Sequence, residues 1–125
     1  MLGLFGIFGR SRDLQGLDRA LLGVGLNPRL VPEAVKLTTL KLLMEAGADR
    51  NTASYGAAAE LLGYCILGAQ GLTERNDPSL TEAVEHRLAD ALEAGDNLDA
   101  RLVLLTLHAC VIESSVVERY DLRTG

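Results

Sequence analysis

The chain has 125 residues, of which 48% are hydrophobic and 23% charged, and its formal net charge is −5. This length suits one domain with its own hydrophobic core, and the composition excludes a disordered chain, a collagen-like repeat and a disulfide-rich scaffold. The 17 acidic residues outnumber the 12 basic ones, and the arginines are scattered singly, so we expect no nucleic-acid partner.

The first ten residues predict an apolar arm. The segment from Met1 to Gly9 carries no charge, and its three glycines disfavour a stable helix. It lacks the basic residues that begin a signal peptide, and it is far shorter than the roughly 20 residues of a membrane span. Shallow insertion into a membrane surface is an alternative. We expect residues 1–10 to pack on the domain's own core or on a second subunit through large apolar side chains: Leu4, Phe5, Ile7 and Phe8.

The rest of the chain, residues 11–125, is predicted to be a single helical domain in the cytoplasm. The segment Ser11–Asp13 is typical of a helix start, and leucines at helical spacing follow it until Gly25. Pro32 suits the first turn of a second helix, because its missing amide costs nothing there. Gly47 marks the end of that helix.

Two further helices lie on either side of the sequence Asp77-Pro78-Ser79, which is a typical helix start. The helix before it is predicted over residues 51–70 and is rich in alanine and glycine. The helix after it has one apolar stripe and one charged face, and it ends at Gly95.

A fifth helix is predicted from Asp96 or Asn97 through Tyr120. From Leu102 to Ile112 it is apolar on every side, and helices of that kind are buried. We therefore predict an all-α fold, a compact bundle of about five helices with this hydrophobic C-terminal helix at its centre. Two tandem helical hairpins are an open arrangement, because the sequence Glu-Ala-Gly ends both the second and the fourth helix.

The two cysteines, Cys65 and Cys110, both lie in apolar helical runs. Thiols in such positions usually behave as small hydrophobic side chains, and no cationic residue adjoins either one to activate it. We expect both in the core, with a disulfide only if their helices meet.

One helical face has the spacing of a metal site. Glu82, His86 and Asp90 follow one another at four-residue intervals on the fourth helix, and carboxylates with an imidazole bind several divalent metals. A solvent-facing row of charges on an amphipathic helix explains the same residues. We therefore expect no metal ion and no other cofactor.

Three residues are the best candidates for a ligand pocket. Glu60 is the only charge between Arg50 and Glu74, Tyr64 follows it by one turn, and His108 interrupts an apolar stretch. If the third and fifth helices meet there, these side chains converge, and a Glu–His pair is able to transfer protons. The competing interpretation is a solvent-facing Glu60 and a hydrogen-bonded His108 in the core.

The sequence favours an interaction module over an enzyme. It contains no phosphate-binding loop, dinucleotide fingerprint or nucleophile motif. The N-terminal arm and the second helix carry more apolar residues than one small bundle needs, and such a surplus is typical of an interface. We expect a self-associating protein, a homodimer or a partner of another protein, without catalysis. The alternative is a small-molecule- or metal-binding protein, or an enzyme, with its pocket at Glu60, Tyr64 and His108. On the second helix the candidate interface comprises Leu37, Leu40 and Met44.

Overall fold

The computed structural model describes the backbone of residues 2–122 and the side chains of residues 12–122. Within these limits the chain consists of α-helices and one 3₁₀ turn, without strands, so the prediction of an all-α bundle is confirmed. None of the described helices combines the length and hydrophobicity that crossing a bilayer requires. The elements are α1 (Leu2–Gly23), the 3₁₀ turn (Pro28–Leu30), α2 (Glu33–Glu45), α3 (Thr52–Arg75), α4 (Pro78–Ala94), α5 (Leu98–His108) and α6 (Ser114–Tyr120).

The first helix starts earlier than the sequence indicated. α1 begins at Leu2, so the helix start expected at Ser11–Asp13 is wrong, and the residues assigned to the arm belong, from Leu2 on, to α1. Leu17 and Leu21 are fully buried and fix the second half of the helix. Once a helix has formed, adding residues at its end is far easier than starting a new one, so the early glycines do not end it.

The central position in the bundle belongs to α3. It packs against α1, α4, α5 and α6, whereas α5, for which the sequence predicts the centre, packs against α2, α3 and α4. The consecutive residues Leu61–Cys65 are all buried. In α5, by contrast, Arg101, Leu104 and His108 are exposed. The side chains of α3 are small, so several helices approach it closely. This close approach, and not the uniform hydrophobicity of α5, determines which helix is central.

α1 and α3 run in the same direction, in a register fixed by two glycines. At Gly16 the missing side chain makes room for the ring of Tyr55, whose Cε2 would lie 2.6 Å from a Cβ there. Eight residues further along both helices, a Cβ at Gly63 would lie 3.1 Å from Cγ2 of Val24. Equal steps along the two helices mean that they are parallel. The first residue of α3 is therefore level with Asp13 of α1.

α3 is broken at Gly68, and the chain turns back there. Gly68 has φ 80° and ψ 171°, a conformation that only glycine adopts readily. Beyond the break, Cδ1 of Leu72 would come within 3.5 Å of a Cβ at Gly63. In a straight helix these two positions would be about 13 Å apart along the axis. The amide of Glu113 donates a hydrogen bond to the carbonyl of Cys65 just before the break, at 2.7 Å.

The predicted fifth helix is divided into α5 and α6. α5 stops at His108, and Cys110 follows with φ 60°, while the amide of Val111 donates to the carbonyl of Thr106 at 3.1 Å. This is the usual glycine-type helix end, here with a cysteine in the left-handed position. Cys110 is exposed, so its expected burial is wrong, whereas Cys65 is buried as predicted. Both thiols are free.

Of the two tandem hairpins that the sequence left open, the second is present. α4 and α5 pack against each other, whereas α2 packs against α5 and α1. The predicted turn residues are confirmed: Gly47 and Gly95 follow α2 and α4 with φ 74° and 91°. The side chain of Asn97 caps α5 by accepting a hydrogen bond from the amide of Ala100 at 2.9 Å.

Candidate functional site

A groove between α1 and α3, here called the α1–α3 groove, is half-open to solvent and has a volume of about 490 Å³. That volume is in the range of small-molecule sites in proteins. Its floor is made of small and apolar residues, chiefly Ala20, Gly23 and Val24 of α1 and Gly56 of α3. A Cβ at Gly23 or Gly56 would have no contact within 4 Å beyond its own part of the helix. These glycines therefore leave open space and do not serve close packing.

Two arginines border the α1–α3 groove. Arg19 comes from α1 and Arg50 from the loop before α3, and both are exposed. Neither forms an ion pair with another residue whose side chain the structure describes. The groove's carboxylate, Glu60, already has a partner, since Nη1 of Arg87 lies 3.5 Å from its Oε1. Among the described lining residues there are thus two arginines and one carboxylate, which gives the groove a net positive charge on a chain whose net charge is −5.

Tyr55 forms one wall of the groove and is fixed by a hydrogen bond. Its hydroxyl donates to Oδ1 of Asp13 at 2.8 Å. Burial, together with this hydrogen bond, raises the pKa of Tyr55 above its ordinary value. The hydroxyl thus remains protonated at neutral pH, and its proton is already engaged.

A second polar site, here called the tyrosine cluster, joins α6 to α3 and α4. It consists of Tyr64, Glu85, Arg119 and Tyr120. The hydroxyl of the fully buried Tyr64 donates to Oε2 of Glu85 at 2.9 Å and lies 3.4 Å from the hydroxyl of Tyr120. Nη1 of Arg119 lies 3.1 Å from the same Oε2, and its guanidinium lies over the Tyr120 ring, 5.8 Å from the centroid.

The tyrosine cluster holds helices together and does not provide an activated group. Burial, then the hydrogen bonds with Tyr120 and Glu85, raise the pKa of Tyr64 far above its ordinary value. The phenol therefore stays neutral and cannot act as a base near neutral pH. The carboxylate of Glu85 is satisfied by Tyr64 and Arg119 together.

Comparison with known proteins adds no relative. No family model, no curated protein and no solved structure matches the chain. The groove and the tyrosine cluster are therefore identified from their positions and contacts in this structure.

The structure does not bring Glu60, Tyr64 and His108 together. Glu60 lines the α1–α3 groove, whereas Tyr64 lines a different cleft beside α6. Their polar atoms both meet α4, at Arg87 and Glu85 respectively, and not α5. His108 is exposed at the end of α5, so it is not a core histidine, and no hydrogen bond or ion pair within residues 12–122 links it to Glu60 or Tyr64.

The three residues of α4 that have the spacing of a metal site face the solvent. Glu82, His86 and Asp90 are all exposed. Glu82 and His86 border a cleft beside the tyrosine cluster, while Asp90 lines another one with Arg87. Within the part of the chain that the structure describes, no three potential ligands come together to hold a metal ion.

The candidate interface residues have different surroundings. Leu37 and Leu40 are half-buried, and Leu40 packs against the core, whereas Met44 is 59% exposed. The side chains of the other four candidates lie outside the described residues: Leu4, Phe5, Ile7 and Phe8.

Sequence reasoning missed the residues that give both sites their character. Arg19 and Arg50 are solitary arginines in the sequence, and only the parallel packing of α1 on α3 brings them to one groove. Glu85 and Tyr120 lie 35 positions apart and meet through Tyr64. The one available signal was Tyr64 itself, a tyrosine in a run of small and apolar residues that required a hydrogen-bond partner once buried.

Proposed function

We propose that this protein is a non-catalytic helical interaction module that self-associates through the first half of α1. The observation that carries the proposal is the length of α1 relative to α3. Because the start of α3 is level with Asp13, residues 2–12 of α1 extend past it, and a helical segment of that length spans about 16 Å.

The sequence of this extension is suited to an interface. Its first eight residues comprise five large apolar residues and three glycines, and the first charged side chain is Arg10. An apolar helix that runs beyond the helix on which it packs needs cover from water. A second copy of the same chain supplies an identical apolar segment, and symmetric pairing of identical surfaces is the commonest form of oligomer.

Further support comes from an exposed apolar side chain on α2 and from the contacts that the charged residues make. Met44, one of the candidate interface residues, is 59% exposed. Arg87 and Arg119, by contrast, are used to join helices to each other. A partner of another sequence with a similar apolar face would serve equally well. The cytoplasmic location expected from the sequence remains part of this proposal.

The proposal is tested by the oligomeric state of the full chain. Native mass spectrometry and light scattering after gel filtration, over a wide concentration range, should give a dimer. The double variant Phe5→Ser/Phe8→Ser should be a monomer with unchanged circular dichroism over the bulk of the helices. Leu30→Ser is the matched control, because it removes a leucine that is 65% exposed on the 3₁₀ turn, outside α1. It should remain a dimer.

Two results would overturn the proposal. One is a wild-type chain that stays monomeric at the highest concentration, and the other is a double variant that dimerises like the wild type. If the chain stays monomeric and sediments with lipid vesicles through Phe5 and Phe8, membrane binding by the N-terminal segment replaces self-association.

A further inference from the structure

The α1–α3 groove joins a floor of small and apolar residues to a rim with two arginines that have no ion pair among the described side chains. We infer that it binds a small amphiphilic anion, a molecule that carries a carboxylate or phosphate group on an apolar chain. This inference goes beyond the proposed self-association and does not depend on it.

The charged residues of the groove indicate that its ligand is negatively charged. Arg19 and Arg50 have no ion-pair partner within residues 12–122. Glu60 shares Arg87 with Asp99, and even counted in full its single negative charge offsets only one of the two arginines. Guanidinium groups bind carboxylates and phosphates through paired, charge-assisted hydrogen bonds. An anion is therefore favoured here, and a cation is disfavoured.

The floor of the groove indicates that the ligand also has an apolar part. Val24 and Tyr55 are almost fully buried and present only a small part of their surface to the groove. Gly23 and Gly56 face open space, so a chain of methylene groups is able to lie along them. The groove's volume of about 490 Å³ fits one small molecule. A polypeptide partner would need a much larger area.

The experiment uses octanoate and octyl phosphate as probes. Each is titrated into isotope-labelled full-length protein, and the amide resonances of Gly23 and Gly56 are followed by NMR. Both probes should shift these resonances saturably. Octylammonium has the same chain with the opposite charge, and acetate has the same charge without the chain. Each should bind at least about tenfold more weakly. The two anionic probes together decide which head group the arginines prefer.

Variants separate the charged from the apolar contribution. Arg19→Gln and Arg50→Gln should each weaken octanoate about tenfold and leave neutral octanol within about twofold. Arg29→Gln is the matched control, because Arg29 is also exposed and has no ion pair among the described side chains but lies on the 3₁₀ turn outside the groove. It should change neither Kd. Gly56→Leu should weaken octanoate and octanol alike, since it fills the floor.

Three outcomes would overturn the inference. These are octanoate that leaves the groove amides unshifted, octylammonium that binds as tightly as octanoate, and arginine variants that bind like the control. The Phe5→Ser/Phe8→Ser variant should bind octanoate like the wild type whether or not it dimerises. Failure of the groove proposal is therefore distinguishable from failure of the self-association proposal.

Discussion

Arg87 is predicted to be the most important charged residue for stability. Its guanidinium forms two hydrogen bonds with Asp99 of α5, at 3.1 and 3.0 Å, and a third with the carbonyl of Ala57 on α3, at 3.1 Å. Glu60 lies a little further away, at 3.5 Å. One side chain on α4 thus joins the three helices that form the middle of the bundle. Arg87→Met keeps the unbranched apolar stem and removes these contacts.

The size of the effect follows from the exposure of the partners. Buried hydrogen bonds to charged groups contribute about 1.5–3 kcal/mol, and exposed ion pairs contribute about 0–1 kcal/mol. The side chains of Arg87 and Asp99 are 31% and 25% exposed, which places this pair between the two classes. We expect Arg87→Met to lower the free energy of unfolding by about 1–2 kcal/mol.

Arg101 provides the control. It pairs with Asp96 at 2.9 Å, but the two side chains are 52% and 84% exposed. Arg101→Met should therefore cost less than about 0.5 kcal/mol. Urea unfolding followed by circular dichroism measures both variants. A double-mutant cycle with Asp99→Asn should show a coupling of about 1 kcal/mol between Arg87 and Asp99. Equal losses for the Arg87 and Arg101 variants would refute the reasoning from exposure.

Three further predictions concern single positions. Gly56→Ala should raise the free energy of unfolding by about 0.5–1 kcal/mol, because Gly56 has helical geometry and open space around it. Gly68→Ala should lower it by about 1–3 kcal/mol, because Gly68 has φ 80°. The opposite order of the two variants in urea unfolding would contradict the assigned break in α3. Burial raises the pKa of Cys65 to about 12, so a thiol reagent at mildly alkaline pH should modify Cys110 rapidly and Cys65 only after unfolding; Cys110→Ser should abolish the rapid phase. Because the pKa of Tyr64 is raised in the folded state, the unfolded chain loses this proton first, and stability should fall as the pH rises above 10. Tyr64→Phe should reduce that fall in unfolding curves measured at increasing pH, and an identical slope in both proteins would argue against a buried phenol.

Helix ends with a strong local signal were predictable from the sequence, and those that depend on distant contacts were not. Gly47 and Gly95 end their helices through positive φ, which glycine adopts at no steric cost. Cys110 ends α5 in the same way, but a cysteine gives no such signal, because side chains disfavour the left-handed conformation. The amide of Glu113, which meets the carbonyl of Cys65, belongs to the segment immediately after this turn. The turn is thus supported by a contact from outside α5.

The candidate pocket failed for a related reason. The sequence correctly identified Glu60 and Tyr64 as unusual residues of α3, but it could not show which helix they face. In the structure both residues contact α4. Arg87 pairs with Glu60 through opposite charge, and the carboxylate of Glu85 accepts a hydrogen bond from the hydroxyl of Tyr64. The rotation of one helix against its neighbours depends on the whole core. A single sequence fixes which residues share a face, but not which helix that face meets.

The turn at Gly68 also orders the contacts of the chain in time. During synthesis from the N-terminus, α1 and both parts of α3 are made before α4. Nδ2 of Asn76 is therefore able to reach the carbonyl of Val24 before α4 exists; the two atoms are 2.9 Å apart in the finished protein. The carbonyl of Cys65 and the hydroxyl of Tyr64 must wait for Glu113, Glu85 and Tyr120. A ribosome-bound chain that stops before α4 therefore leaves these two polar groups of α3 without their partners, although the apolar residues of α1 and α3 are already available to each other.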